Sequence, residues 1–330
     1  MNTFTVTTWN LENLFRNGHE FGPRTAEEYA AKLDSLAQTI LSLDPDVLAV
    51  QEIGGPEPFA DLLALLENRY PHALLSTDPD PRGIRVGFVS KLAIESSQDI
   101  AAFPQNGLTK VSSMNGKGRI QEISRFGRGA LCICVRPLPE RPVYLLNAHL
   151  KSKLLSFQSA SGQPRFTPID ENERVQAAGL ALLRRTAEAV ALRAKANELL
   201  AGNDQNALIV LGDLNDGVSA ATTQILQGPG GSEIDTRGFN RPDKGDDARL
   251  FNLAPLIPEE RRFSRIYQGN KELIDHIFVS EEMLPGQPRR IPKVDSGVIT
   301  NPIPSITDNP GERRGQIGSD HAPITATFEL

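Results

Sequence analysis

The sequence predicts an α/β protein, and three observations carry that expectation. Short apolar runs of strand length recur along the chain, the clearest being Ala207-Leu-Ile-Val-Leu211, which suits a strand buried on both faces. Between such runs lie segments whose apolar residues recur every three or four positions, the mark of amphipathic helix. From Ala73 to Val135 the helical period disappears, and β-like runs alternate with Gly and Pro loops, which reads as an antiparallel portion.

Taken in order, Phe4 and Val6 alternate with threonines up to Trp9, a first strand that ends in the polar stretch Asn10-Leu-Glu-Asn13. Residues 26–43 read as a helix carrying Tyr29, Leu33, Leu36, Ile40 and Leu43 on one face, stopped by Asp44-Pro45. Val47-Leu-Ala-Val50 is a second strand ending in Gln51-Glu52, and a second helix follows over roughly 58–67. Residues 85–90, 93–97, 129–135 and 142–150 read as strands. The best helix spans about 171–200, with Asp170 and Glu173 resembling a capping box and Gly202 as its stop. Its apolar face runs Val175, Ala178, Leu182, Ala189, Leu192, Ala196, Leu199, and Arg185 interrupts it, which favours a core-facing seam over a dimer coil. Gln227 to Asp247 reads as a loop. Glu272 to Val279 is a strand that buries Asp275 and His276 among apolar neighbours. Leu284 to Gly318 is Pro-rich and reads as a long surface excursion, before a last strand with Asp320 and His321 at its start.

An apolar content of 39% and a charged content of 23% describe a globular chain that can bury a sizeable core. No repeat, low-complexity tract or composition shift marks a linker, so one domain over 1–330 is expected. The net charge of −6 gives no basic footprint for the chain as a whole. That counts against a nonspecific high-affinity DNA binder, but leaves room for an enzyme that grips a few phosphates locally. Cys132 and Cys134 stand two apart on one strand and read as reduced packing residues. The first nine residues lack the basic and apolar regions of a signal peptide, and no apolar run reaches transmembrane length, so a cytoplasmic location without membrane insertion is expected.

One device repeats along the chain. Strand after strand ends, or begins, in acids, amides and histidines: Asn10 and Glu12, Glu52, His149, Asp213 and Asn215, Asp275, Asp320 and His321. Each alone reads as a turn residue at a strand end. Together they describe a site. Two carboxylates about 4 Å apart repel by roughly 4 kcal/mol at an effective dielectric near 20, so a converging cluster needs a cation or a raised pKa. Oxygen donors without cysteine suit Mg²⁺ or Mn²⁺ rather than zinc. A hard ion beside a histidine points to phosphoryl chemistry.

At these residues the chain resembles the endonuclease/exonuclease/phosphatase superfamily, the group of the deoxyribonuclease I-like and exonuclease III-like enzymes. The matching segments are Thr8-Trp-Asn-Leu-Glu12, Val50-Gln-Glu52, Asn147-Ala-His-Leu-Lys151, Gly212-Asp-Leu-Asn215, Leu273-Ile-Asp-His276 and Gly318-Ser-Asp-His321, in family order. The resemblance implies a four-layer α/β/β/α sandwich, with two packed sheets flanked by helices and one active site at the sheet edges. It makes Glu52 the principal metal ligand, with Asn10, Glu12 and Asp320 near the metal or its waters. Asp213 would position or deprotonate the attacking water, with Asn215 holding that water or the phosphate. His321, oriented by Asp275, would contact a phosphate oxygen, and His149 matches the second histidine of the deoxyribonuclease-like branch. Arg128, Lys151 and Asn147 fall at phosphate- or substrate-binding positions, and Lys153, two residues on, is within reach of phosphate on the same reading. One departure stands out: the acid that partners the second histidine in that branch is missing from Pro81-Arg-Gly-Ile84.

The expectation is therefore a Mg²⁺- or Mn²⁺-dependent phosphodiesterase acting on nucleic acid, with DNA favoured. A phosphatase or phosphodiesterase acting on a small molecule or lipid head group is the alternative. A catalytically dead binding protein on the same fold would lack central site residues, and none of Asn10, Glu52, Asp213, Asn215, Asp320 and His321 is missing.

Overall fold

The computed structural model describes residues 3–105, 108–114, 120–158, 164–201, 207–228, 230–231, 233–234, 236–239, 248–284, 293–296, 303–309 and 311–329. In chain order its elements begin with β1 (Thr3–Leu14), α1 (Ala26–Leu43), β2 (Val47–Ile53), α2 (Pro56–Ala64), β3 (His72–Leu75), β4 (Arg85–Ser90) and β5 (Ser96–Ala102). A hairpin of β6 (Val111–Met114) and β7 (Ile120–Ile123) follows, then β8 (Arg125–Leu138) and β9 (Arg141–His149). A two-residue pair, β10 (Phe157–Gln158) and β11 (Pro164–Arg165), leads into α3 (Glu171–Leu200), β12 (Ala207–Asp213) and α4 (Ala221–Gln227). The last elements are β13 (Phe251–Asn252), β14 (Arg265–Tyr267), β15 (Asn270–Glu272), β16 (Asp275–Val279), β17 (Lys293–Ser296), β18 (Ser305–Ile306) and β19 (Ile324–Glu329).

Two six-stranded mixed sheets form the centre, with strand orders β17-β19-β1-β2-β4-β3 and β13-β16-β12-β9-β8-β5. Their inner faces meet in one buried cluster that includes Phe4, Val6, Ala49 and Phe88 from the first sheet and Ile133, Leu145, Ile209 and Ile277 from the second. Trp9, Leu48 and Val50 on the outer face of the first sheet pack on Leu33, Leu36 and Ile40 of α1 and Phe59 and Leu62 of α2. On the outer face of the second, Cys132, Leu146, Leu208 and Val210 pack on Ala189, Leu192 and Ala196 of α3 and Leu226 of α4. The layers run α/β/β/α.

Local chemistry accounts for the helix ends. Thr25 Oγ1 accepts from Glu28 N at the start of α1, and Asp44 ends it in the left-handed conformation, φ 46°. Asp170 accepts from Glu173 N, while Glu173 reaches back to Ile169 N, so both arms of the cap form. Gly202 lies outside the described residues, and α3 closes with Ala201 at its C-terminal cap. α2 begins at Pro56 rather than 58, because proline supplies the fixed φ of a first helical turn.

Two expectations are corrected. Ala189, Leu192 and Ala196 of the expected α3 face are buried, but Val175 and Leu182 are exposed, and the first half of the buried face runs instead through Ala177, Ala181, Arg185 and Glu188. Arg185 does not interrupt the stripe; it is part of it, because it reaches inward to Asp216 Oδ2 (3.0 Å) and to the carbonyl of Lys151 (3.0 Å). The Pro-rich stretch after Leu284 is not only an excursion. Its residues 293–296 add β17 to the edge of the first sheet, antiparallel to β19. Cys132 and Cys134 are free and buried, as expected of packing residues. Among the described residues no helix is long and apolar enough to cross a membrane.

Candidate active site

The alternation that builds the core also builds the site. On β12 the inward residues are Ala207, Ile209 and Leu211, and the next in that series is Asp213. On β9 the series Val143, Leu145 continues to Asn147 and His149, and on β1 Phe4, Val6 continues to Thr8 and Asn10. Each strand thus carries its inner face past the apolar layer and ends in polar groups at one edge of the sandwich. Strand pairing fixes their neighbours: Asp213 stands beside His149 on one side and Asp275 on the other. Gly212 is required for this packing. At φ 139°, a Cβ there would meet the carbonyl oxygen of Ala148 at 1.9 Å.

Asp213 is the hub. Its Oδ2 accepts from Asn10 Nδ2 across the two sheets (2.9 Å) and lies 3.3 Å from His149 Nε2 and 3.9 Å from His321 Nε2. Its Oδ1 accepts from Asn215 N (2.9 Å). Burial and the charge of Asp275 raise its carboxyl to about 7. His321 Nδ1 is 2.7 Å from Asp275 Oδ2, and its backbone is tied down by Ser319 Oγ and Trp9 Nε1. Burial opposes a charge on His321, but Asp275, Asp213 and Asp320 outweigh it and lift the imidazole to about 10. It is an imidazolium at neutral pH.

His149 is the opposite case. Burial, together with Arg128 and His321, pushes it well below the ordinary histidine range. A neutral ring carries one proton, and the short approach to Asp213 puts it on Nε2, which leaves the buried Nδ1 without a partner. The acid missing from Pro81–Ile84 has a near substitute in Asp80, one residue upstream. That carboxylate does not reach His149; it holds Arg82 (3.2 Å) and Arg128 (3.4 Å).

Glu52 sits in the left-handed region, φ 63°, where Asn13 N donates to its Oε2 (2.8 Å) and Oε1 faces His149 Nε2 at 3.9 Å. Glu12, Asn13 and Asn215 share that conformation, and such strain gathers at functional sites. Glu12 differs from expectation. Both its oxygens accept from Arg313 (2.9 and 2.8 Å), Lys32 Nζ lies 3.7 Å away, and Asp320 N donates to Oε2 (3.0 Å). Glu12 brackets the segment that carries Asp320 instead of standing open. Asn147 differs too: fully buried, it donates to the carbonyls of Val50 and Gly87 and accepts from Gln51 Nε2, a strut between the sheets with no reach to a substrate. Lys151 Nζ is spent on the carbonyls of Ser152 and Leu154, and burial with Arg128 lowers it to about 7. Arg128 donates to the carbonyl of Leu150 (3.1 Å) at the mouth of the site. Asn215 Nδ2 donates to that same carbonyl (3.0 Å).

Several residues at the site escape the sequence. Glu188 of α3 accepts from Gly127 N and Lys151 N, so one buried carboxylate positions the loops of Arg128 and Lys151. Arg265 of β14 bridges backbone-to-backbone to His321. Neither lies in a polar strand end or in a segment that carries the family resemblance, the two signals that found the others.

The donor set fits a hard cation. Asp213, Asp275 and His321 bring ligand atoms within 4.8 Å of one another, and Asp275 Oδ1 is buried without a partner. In that inner cluster the imidazolium of His321 is already the counter-ion. Glu52 is partly open to solvent with Oε1 3.9 Å from His149 Nε2, and Asp320 is anchored through its backbone N to Glu12; their carboxylates are oxygen donors of the kind a hard cation takes.

Two packed mixed sheets flanked by helices, with acids, amides and two histidines gathered at one edge, define an α/β sandwich of hydrolase type. The chain belongs to the Endonuclease/Exonuclease/phosphatase family, which it matches over residues 7–321. Similar solved structures include truncated Caenorhabditis elegans TDP2, at 15% identity and a TM-score of 0.58, covering 99% of this chain and 98% of that one. The human Nocturnin catalytic domain with bound sulfate anion is 14% identical, with a TM-score of 0.57 and coverage of 100% and 95%. D. rerio TDP2 complexed with single strand DNA product is 15% identical, with a TM-score of 0.55 and full coverage of both chains. No curated protein matches the chain by sequence.

Proposed function

We propose that the chain is a divalent-metal-dependent phosphodiesterase that hydrolyses nucleic acid, with DNA favoured, by in-line attack of water. The observation that carries this reading is the convergence of Asn10, His149 and His321 on one buried carboxylate, Asp213. A carboxyl raised to about 7 is a base matched to neutral pH, so Asp213 would orient the attacking water and take its proton. Asn10 and Asn215 fix the carboxylate between them, one on each oxygen. His321, kept cationic by Asp275, would face a phosphoryl oxygen as charge develops there. Glu52, Asp320 and Asn10 would hold the cation, which when bound supplies Lewis-acid neutralisation of the phosphate. Arg128, and Lys151 where protonated, add positive potential beside it.

Support for a nucleic acid comes from the family and from the TDP2 neighbour described with a single strand DNA product. The net charge of −6 means that any grip on phosphates is local. The reading is tested by offering supercoiled plasmid, single-stranded oligonucleotide and bis-p-nitrophenyl phosphate with Mg²⁺, with Mn²⁺ and with EDTA. Metal-dependent cleavage of the nucleic acids is expected. Cleavage of the small diester alone would move the substrate to a small molecule or lipid head group.

A further inference from the structure

One carboxylate, Glu272, gathers two cations at the rim of the site. Arg265 donates to its Oε2 (2.7 Å), and Lys153 Nζ lies 3.9 Å from its Oε1 and 3.4 Å from Asp216 Oδ1. Arg185 pairs with the same Asp216 (3.0 Å), so three cations share these two acids. Arg265 opens β14 at the bridge to His321, and Lys153 lies four residues after His149. The Arg265 side chain is 13% exposed, and its Nε is buried with no hydrogen-bond partner. A buried guanidinium N–H without an acceptor calls for a reason, and an arriving anion supplies one. The charge of Arg265 acts on Asp213 and Asp320, so the cluster lies within electrostatic reach of the reacting groups.

A matching device stands on the far side of Asp213, where Asp80 gathers Arg82 and Arg128. Arg128 lies on β8, two strands from Asp213 on β12, whereas Arg265 and Glu272 belong to the separate β15-β14-β18 sheet, which reaches the site through the bridge of Arg265 to His321. A strand of phosphates can engage both clusters, since each gathers two cations on one carboxylate.

We propose that Arg265 and Lys153, held by Glu272, form a second phosphate subsite that takes the phosphate next to the scissile one in a polynucleotide. The inference rests on the phosphodiesterase reading above and narrows its substrate to a polyanionic strand.

The test measures binding of a labelled single-stranded oligonucleotide to the Asp213→Asn chain across a salt series at fixed Mg²⁺. Lys153→Ala and Arg265→Ala, each added to that background, are expected to lower the slope of log K against log [salt] by about 0.7, the value of one single-strand phosphate contact. Affinity at low salt should fall about tenfold in each. Arg265→Lys keeps the charge and should keep the slope. Lys153 is 39% exposed, so Lys153→Ala reports even where Arg265→Ala fails to fold. An unchanged slope in Lys153→Ala, with the wild-type chain cutting the oligonucleotide, overturns the subsite alone. A wild-type chain that neither binds nor cuts the strand, yet hydrolyses bis-p-nitrophenyl phosphate, overturns the subsite and the nucleic-acid reading together.

Discussion

Asp213 and Asp275 stand directly opposite one another on β12 and β16, so the antiparallel register itself presses two carboxylates together in a place neither can leave. Like charges in such a pair cannot both ionise freely. One answer is to raise Asp213, and the other is to keep a proton on His321, which bonds Asp275 and faces Asp213. Base and cation therefore arise from a single strand pairing.

Asp275→Asn removes both effects at once. It removes the partner that holds His321 cationic and the charge that raises Asp213. Turnover is expected to fall roughly 10²- to 10⁴-fold. In a profile of kcat/KM against pH, both limbs should move to lower pH, the acid limb with Asp213 and the alkaline limb with His321. Unmoved limbs would show that Asp275 tunes neither group.

The same pair governs stability in metal-free protein. Asp213 is raised in the fold from the ordinary 3.8 to about 7, so its neutral form stabilises fully below about pH 4 and that contribution is lost as pH rises to 7. His321 is raised from 6.5 to about 10, so its contribution is complete below pH 6.5 and is lost as pH rises through 10. Both losses run in one direction through adjoining windows. Thermal melts in EDTA should show Asp213→Asn gaining on the wild type between pH 4 and 7 and gaining further toward pH 10, because His321 loses one of the carboxylates that lift it. A gap that narrows across pH 4 to 7 would contradict the assignment.

Gly212→Ala tests the scaffold. Its Cβ would collide with the Ala148 carbonyl, which sits on backbone and cannot swing aside. β12 and β9 must part at the point where Asp213 meets His149. A cost of about 3 kcal/mol is expected in urea denaturation, with activity reduced in the surviving fold. Wild-type stability would mean that the two strands yield there easily.

The sequence carries the strand ends well and the connections poorly, for a physical reason. A strand's period of two extends from apolar to polar residues without a break, so Asp213, His149 and Asn10 are legible as the ends of inward series. What those groups touch depends on tertiary pairing. Asn147 has the same inward phase as His149, yet it falls one step deeper, where the opposite sheet offers the carbonyls of Val50 and Gly87. Glu12 carries a carboxylate like Glu52, but Arg313, far along the chain, claims it. The second half of the α3 face, Ala189, Leu192 and Ala196, is legible, and the first half is not, for a related reason. There Ala177 and Ala181 leave room for Arg185 and Glu188, which reach inward to Asp216 and to the backbone of Gly127 and Lys151, while Val175 and Leu182 face solvent.

The most direct measurement is single-turnover cleavage of a labelled phosphodiester strand by the wild type and by Asp213→Asn, each with Mg²⁺ and with EDTA. Asp213 as the base of a metal-dependent reaction predicts cleavage that EDTA abolishes and that falls by about three orders of magnitude or more in the variant, whose melting temperature is no lower. Cleavage by the variant at the wild-type rate, or cleavage that survives EDTA unchanged, would contradict it.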